Sequence, residues 1–145
     1  RHFVPGAKVL LLQTVAAPEQ IAQAGGIAAG TPLLRLKRVR YANHQAVGIH
    51  DAYLHNIEIG EADLKKTPSL YMLLSQRGIV LAEGVDTIDA VPADAEAAAL
   101  LNVKPDAPLL QTTRISWDVR NRFVEYVVAQ YRADLYHYRI RLRRS

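Results

Sequence analysis

Two arginines spaced two apart on one strand are the first residues in this chain whose types and spacing could do chemistry. Along Leu33–Tyr41, alternation puts Leu34, Leu36, Arg38 and Arg40 on one face. Leu33, Arg35, Lys37, Val39 and Tyr41 fall on the other. Guanidiniums at i and i+2 present neighbouring forks that fit the oxygens of a phosphate or a carboxylate. The leucines sharing their face would set the pair at the mouth of an apolar pocket. Taken alone, the strand is read more simply as meeting water at its arginine end. Ser69 and Tyr71 shift that balance toward an anion site. They follow Thr67-Pro68 in the first turn of an expected helix, where unpaired N–H groups favour negative charge. Ser69 also reads as a helix cap, and Tyr71 as core packing.

Glu125 is the third suspect. It lies in the apolar run Phe-Val-Glu-Tyr-Val-Val-Ala, and period 2 groups it with Phe123, Val127, Ala129 and Tyr131. An acid on such a face is buried with a partner or sits at a solvated edge, and its apolar companions favour burial. His50, grouped with Gly48, Ala52 and Leu54, reads by itself as a structural hydrogen-bonding group. Asp86 and Asp89 are close in sequence but fall on opposite faces of a strand, so they make no acid/base pair. The chain has no Gly-rich phosphate loop, no Gly-x-Ser-x-Gly and no metal-type His spacing. Nothing in these residues demands an enzyme or a cofactor.

The elements that must position these groups are set out by an internal duplication. At an offset of 76 residues, Val15 falls on Val91, Pro32 on Pro108, Leu33-Leu34 on Leu109-Leu110, Arg38 on Arg114 and Val39 on Ile115. Two copies are too few for a solenoid. Each copy reads as a strand (9–15, 85–91), a short helix (18–24, 94–101), a long strand (33–41, 109–117), a polar turn (42–45, 118–122) and a further strand (47–54, 123–131). Asp94 is the expected cap of the second helix. Between the copies Thr67 is the expected cap of another helix, with Pro68 first and Gly78 as its stop. The closing stretch 136–142 alternates Tyr136, Tyr138, Ile140 and Leu142 against His137, Arg139 and Arg141, which predicts a strand with one wet face. The fold class that results is α+β: one domain with a mostly antiparallel sheet and helices packed on it.

Composition fits that architecture. The 145 residues are 50% hydrophobic and 22% charged, enough for one well-filled core. No apolar run reaches the ~20 residues of a membrane span, and no signal-type leader opens the chain. The absence of cysteine excludes disulfides, thiolate metal sites and a cysteine nucleophile, and permits a cytoplasmic location. The net charge of +4 is carried by Arg139, Arg141, Arg143 and Arg144. Taking these four from the 18 basic residues leaves as many as the 14 acidic ones, so the body is neutral and lacks the basic face of a nucleic-acid reader. The start at Arg1, with Met72 the single methionine, reads as a piece of a longer protein.

Several of these segments, in this order and spacing, resemble the UTRA domain, the effector-binding half of HutC-type regulators in the GntR family. They are Pro32-Leu-Leu-Arg-Leu-Lys-Arg-Val-Arg40, Ala46–Leu54, Ser69-Leu-Tyr-Met-Leu-Leu74, Pro108-Leu-Leu with Arg114, and Val124-Glu-Tyr with Tyr131-Arg-Ala-Asp134. The resemblance implies a chorismate-lyase-like fold that binds a small metabolite, forms a homodimer and follows a winged helix-turn-helix that binds operator DNA. It implies a linker over residues 1–8 from that absent module and the effector-binding and dimerisation domain over 9–145. It further implies that Arg38, Arg40, Ser69 and Tyr71 hold an anionic group and that Glu125 and Tyr131 line the rest of the pocket. Where many members have Glu in a Leu-Glu-Arg pattern, this chain has Ile49-His50-Asp51. His50 thereby becomes a specificity residue, and the expected effector is a phosphorylated sugar other than an amino sugar, or a carboxylate. The alternative is a chorismate-lyase-like enzyme with Glu125 as general acid.

Overall fold

A computed structural model describes residues 5–144. In chain order its elements are β1 (Pro5–Ala16), α1 (Glu19–Gly25), β2 (Pro32–Ala42), β3 (Gln45–Leu54), α2 (Glu61–Lys66), α3 (Leu70–Gln76), β4 (Leu81–Pro92), α4 (Ala95–Leu101), β5 (Pro108–Asp118) and β6 (Phe123–Arg132). The duplication is carried into the fold. Shifting β1, α1 and β2 by 76 residues gives the bounds of β4, α4 and β5, as Pro5 to Leu81 and Pro32 to Pro108 illustrate. The third strand shifts by two residues more, Gln45 to Phe123, because the second hairpin has a longer turn.

All neighbours in the six-stranded sheet are antiparallel, in the order β1-β2-β3-β6-β5-β4. Two three-stranded meanders therefore meet through β3 and β6. In the first hairpin Asn43 and His44 both take positive φ, 51° and 66°, as a two-residue loop between twisted strands requires. The second turn is held by buried Asp118. Its Oδ1 accepts from the Arg120 and Arg122 amides, each at 2.9 Å, and Oδ2 accepts from Arg122 Nε at 2.8 Å.

Helices cover both faces of the sheet. On one face Ile21 and Ala22 of α1 pack with Leu33, Phe123 and Tyr126. Ala97, Ala98 and Leu101 of α4 pack with Ile49 and Leu109 on that same side. On the opposite face Leu64 of α2 and Leu70, Leu73 and Leu74 of α3 pack with Leu36, Ala52, Leu54 and Val124. The inner strands thus bury side chains on both faces, which is why Leu33 and Leu36 are both buried in β2.

Four expectations need correction. Ser69, not Thr67, caps α3, its Oγ accepting from the Met72 amide at 3.3 Å. Pro68 disfavours helical geometry in the residue before it, and Thr67 is accordingly extended (φ −133°) and closes α2 instead. Helix α2 itself was not expected; its six residues bury only Leu64, too little for periodicity to register. The closing stretch 136–142 is not a strand, because β6 already has β3 and β5 on its two sides. The linker expected over 1–8 is β1 from Pro5 onward, paired through Lys8 with Val39; residues 1–4 lie outside the described residues. The Asp94 cap is as expected, accepting from the Ala97 amide at 2.8 Å.

Leu101 is 0% exposed and lies on the α4 face, away from the polar side of the sheet. Replacing it with alanine should lower unfolding free energy by about 2–5 kcal/mol, whereas Asp94→Ala should cost about 1 kcal/mol. Urea denaturation checks both, and a Leu101→Ala effect no larger than that of the cap would contradict the packing described.

Candidate ligand-binding cavity

Cross-strand register assembles the polar side chains on one face. Arg38 of β2 lies in a row with His50, Ala129 and Thr112. The next row outward holds Arg40, Gly48 and Tyr131. On the other side come Leu36, Ala52, Val127, Arg114 and Asp86, then Leu54, Glu125 and Ser116. The α2–α3 segment covers only the apolar end of these rows. Over the remainder the small residues Ala52, Thr112 and Ala129 leave a hollow of about 1030 Å³. Pro68, Ser69 and Tyr71 at the start of α3 overhang one side of it, and Tyr136 and Tyr138 stand at its rim. Gly48 is required, since a Cβ there would lie 2.7 Å from the Tyr131 ring.

The charges of β2 are handled differently on its two faces. On the helix α4 side, Arg35 makes a two-pronged ion pair with Asp51 at 2.7 and 2.9 Å, and Lys37 pairs with Glu96. On the cavity side, neither Arg38 nor Arg40 has a carboxylate partner among the described residues. Arg38 is 4% exposed, donates from one terminal nitrogen to the Pro68 carbonyl at 2.9 Å and leaves its Nε without a partner. Burial, reinforced by the charge of Arg40, lowers its pKa.

Across the cavity the charge is already balanced. Asp86 and Arg114, opposite each other on β4 and β5, form a two-pronged pair at 2.7 and 2.8 Å. Arg114 also donates to the Tyr71 hydroxyl at 3.0 Å. Its hydrogen bond to Asp86 raises the Arg114 pKa and depresses that of Asp86. Glu125 is 0% exposed; Ser116 donates to its Oε2 at 2.6 Å, while Oε1 has no partner. Burial pushes its pKa up, against the pull of Ser116 and Arg114. Between the two ends, His50 Nε2 and the Tyr131 hydroxyl share a hydrogen bond of 2.7 Å, and Tyr136 stacks on Tyr131 at 4.3 Å. Burial, then Arg40, Arg38 and Arg114, lower the His50 pKa to about 4, so this imidazole is neutral near pH 7.

All seven residues singled out from sequence, Arg38, Arg40, His50, Ser69, Tyr71, Glu125 and Tyr131, line this one cavity. Ser69 uses one of its two lone pairs on the Met72 amide and keeps its O–H to donate. Because α3 has only seven residues, what it adds is that hydroxyl, the Pro68 carbonyl and Tyr71 rather than a strong dipole. Sequence reasoning missed Asp86, Arg114 and Ser116 as cavity groups. The signal for Arg114 was its place at the duplicate position of Arg38; Asp86 needed the β4–β5 register. Tyr136 and Tyr138 were hidden by their strand-like alternation. Among the described residues no three His, Asp or Glu gather to hold a metal ion, and no helix is long and apolar enough to cross a membrane.

A deep, partly basic hollow on one face of an antiparallel sheet defines a small-ligand-binding α+β domain. Residues 1–137 match the family model of the UTRA domain, and the chain belongs to that family. It is 33% identical over 122 residues to the HTH-type transcriptional repressor PhnF of Mycolicibacterium smegmatis, covering 81% of this chain and 49% of the relative. It is 28% identical over 124 residues to the HTH-type transcriptional regulator GgaR of Escherichia coli, covering 86% and 50%. The chain thus spans about half the length of the curated relatives it matches. Among solved structures, the ligand-binding domain of a GntR-family transcriptional regulator from Bordetella bronchiseptica superposes with a TM-score of 0.88 at 31% identity, covering 97% of this chain and 90% of the other. The effector domain of PhnF from Mycobacterium smegmatis gives 0.78 at 28%, covering 92% and 83%. These likenesses bear out the chorismate-lyase-like fold and place the chain among regulatory ligand-binding domains rather than enzymes, which sets aside the lyase alternative.

The neutral His50 has a consequence for stability. Its folded pKa of about 4 lies below the ordinary 6.5, so between those values the unfolded chain takes up a proton that the folded one resists. Its contribution is therefore full above pH 6.5 and is lost as pH falls toward 4. Glu125, with a raised pKa, acts with the opposite sign, losing stability as pH rises past its ordinary value. Unfolding free energies from pH 7 to 4, for the native chain and His50→Gln, separate the two. The native chain should lose stability relative to the variant across that window; a constant difference would contradict the neutral, buried imidazole.

Proposed function

We propose that this chain is the effector-sensing domain of a transcription regulator of the HutC type, binding a small anionic metabolite with its anionic group at Arg38 and Arg40. The observation that carries this reading is the pair of guanidiniums facing the hollow without carboxylate partners, while every other cation of β2 has one. Charge buried in that condition is costly, and an anion that completes it gains charge-assisted, two-pronged hydrogen bonds. Ser69 supplies a further donor beside Arg38. Tyr131, His50 and Glu125 line the remainder and would meet the ligand's uncharged body. The departure from domains with Glu at the position of His50, together with the neutral state of this imidazole, disfavours a ligand with an ammonium group there. Phosphorylated sugars without an amine and small carboxylates are the classes that fit.

The relatives named as HTH-type regulators support a DNA-binding helix-turn-helix elsewhere in the same protein; the winged form of that module, a homodimer and a cytoplasmic location complete the reading proposed here. In such a regulator the ligand acts by binding one dimer arrangement more tightly than the other, a coupling of typically ~1–3 kcal/mol.

A thermal-shift screen of the chain against sugar phosphates, simple sugars and small carboxylates tests the reading. A ligand at ~100 times its dissociation constant adds about 2.7 kcal/mol, which moves the midpoint by several degrees. One anionic class should give that shift, and Arg38→Ala and Arg40→Ala should each abolish it. Full retention of the shift in both variants would overturn the site assignment.

A further inference from the structure

The Tyr131 ring owes its place to a residue without a side chain. Gly48 lies opposite Tyr131 in the register between β3 and β6. With no Cβ to meet, the ring lies against Gly48 and reaches one row along the sheet to His50. The two rings meet edge to face, with centroids 5.4 Å apart and planes at 86°. Their polar tips share the hydrogen bond of 2.7 Å between the Tyr131 hydroxyl and His50 Nε2.

The turn after β6 braces that ring. The Leu135 and Tyr136 amides both donate to the Arg132 carbonyl, at 3.1 and 3.0 Å, so the chain folds back on itself. Arg132 grips Asp134 of the same turn through a two-pronged pair at 3.0 and 2.7 Å. The result lays the Tyr136 ring on that of Tyr131, with centroids 4.3 Å apart and planes within 11°. Aromatic stacking adds to what area burial alone supplies, so the Tyr131 ring and its hydroxyl are held in place.

The protons of the Tyr131–His50 pair have one arrangement that satisfies both groups. Burial raises the Tyr131 pKa and keeps its hydroxyl protonated, while burial and three arginines leave the imidazole neutral. A neutral imidazole has its N–H and its lone pair on different nitrogens. Among the described residues the Tyr131 hydroxyl has His50 Nε2 as its partner. With the imidazole proton on Nε2, the phenolic O–H would have no acceptor. With the hydroxyl donating to Nε2, both are satisfied and the imidazole proton sits on Nδ1. A separation of 2.7 Å is also usual for an O–H donor and short for a neutral N–H. Nδ1 itself has no partner among the described residues, and His50 lines the cavity.

We propose that Tyr136, by stacking on Tyr131, is a positioning residue that holds His50 as a hydrogen-bond donor at Nδ1, and that this donor selects effectors with an acceptor oxygen beside their anionic group. Arg38 and His50 are directly opposite in the β2–β3 register, about 5 Å apart across the sheet, so one small ligand reaches both. A carbonyl, carboxylate or ether oxygen completes such a donor. An ammonium group meets a second N–H and no lone pair. This rests on the anion-site reading above and adds to it the chemistry required next to the anion.

Nitrogen–proton correlation NMR on the full 145-residue chain reads the tautomer directly, because protonated and unprotonated imidazole nitrogens resonate far apart. With its signals assigned by His50→Ala, His50 should carry its proton on Nδ1 at pH 7. Tyr136→Phe keeps the stack and should keep that tautomer, whereas Tyr136→Ala should give a mixture of both. A proton on Nε2 in the native chain would overturn the donor, and an unchanged tautomer in Tyr136→Ala would overturn the role of Tyr136. Selection is read with two probes of matched size, phosphoglycolate and phosphoethanolamine, which set a carboxylate or an ammonium beside the same phosphoryl group. The arginines alone favour the first, so the quantity compared is the preference between the probes in the native chain and in His50→Ala. That preference should fall about tenfold in the variant, the worth of one hydrogen bond toward the upper end of its usual range. An unchanged preference would overturn the selection. If neither probe binds while the tautomer is as stated, the anion-site reading and the selection fail together and the donor assignment stands.

Discussion

Arg38 holds its positive charge in a site that is 4% exposed and has no carboxylate beside it. Desolvating a guanidinium costs several kcal/mol unless a partner offsets it, and one carbonyl bond, to Pro68, offsets little. The rest of the domain must carry that cost. Apolar packing on both faces of the sheet does so, with α1 and α4 on one side and the leucines of α2 and α3 on the other. The position of Pro68 depends on the same packing, since Leu70, Leu73 and Leu74 seat α3 on the sheet and so fix where the carbonyl meets Arg38. What holds the fold and what leaves the charge unsatisfied are parts of one arrangement.

The duplicated architecture makes the unsatisfied charge meaningful. Arg38 and Arg114 occupy equivalent positions in the two halves, and both line the same hollow. In the second half, Asp86 neutralises its arginine from the strand alongside. The equivalent place in the first half is Leu10, at the bulge where β1 loses register with β2. A strand pair that closes a charge in one half therefore cannot close it in the other. The cavity has a balanced end, with Asp86, Arg114, Tyr71 and Glu125, and an electropositive end at Arg38 and Arg40. His50 lies between them in its neutral form, because burial and three arginines all oppose its proton.

Much of this was legible from residues alone, where the relevant physics was local. Alternation and the 76-residue offset gave β2, β3, β5 and β6 nearly to their ends, whereas β1 and β4 each begin four residues before the stretch that reads as strand; alternation also placed Arg38 and Arg40 on a face with leucines. Glu125 was traceable because an acid among Phe123, Val127 and Ala129 has few places to be. What escaped depended on non-local pairing. Asp86 was compared with Asp89 along its own strand, whereas its partner Arg114 lies across the β4–β5 ladder. The cap of α3 is the local exception: Pro68 keeps Thr67 out of helical geometry, so Ser69 and not Thr67 caps the helix. The closing stretch has a strand's pattern, and pattern says nothing about whether an edge is free to receive it.

The central claim is that Arg38 is held ready for an anion and Arg114 is not. The Nε–H signals of arginine report this directly, because the Nε of Arg38 has no partner and that of Arg114 is bound to Asp86. With both signals assigned by substitution, the chain is titrated with inorganic phosphate and followed by nitrogen–proton correlation NMR. The account predicts that the Arg38 signal moves and saturates while the Arg114 signal stays in place. An Arg38 signal that stays fixed, or an Arg114 signal that moves in its stead, would contradict it.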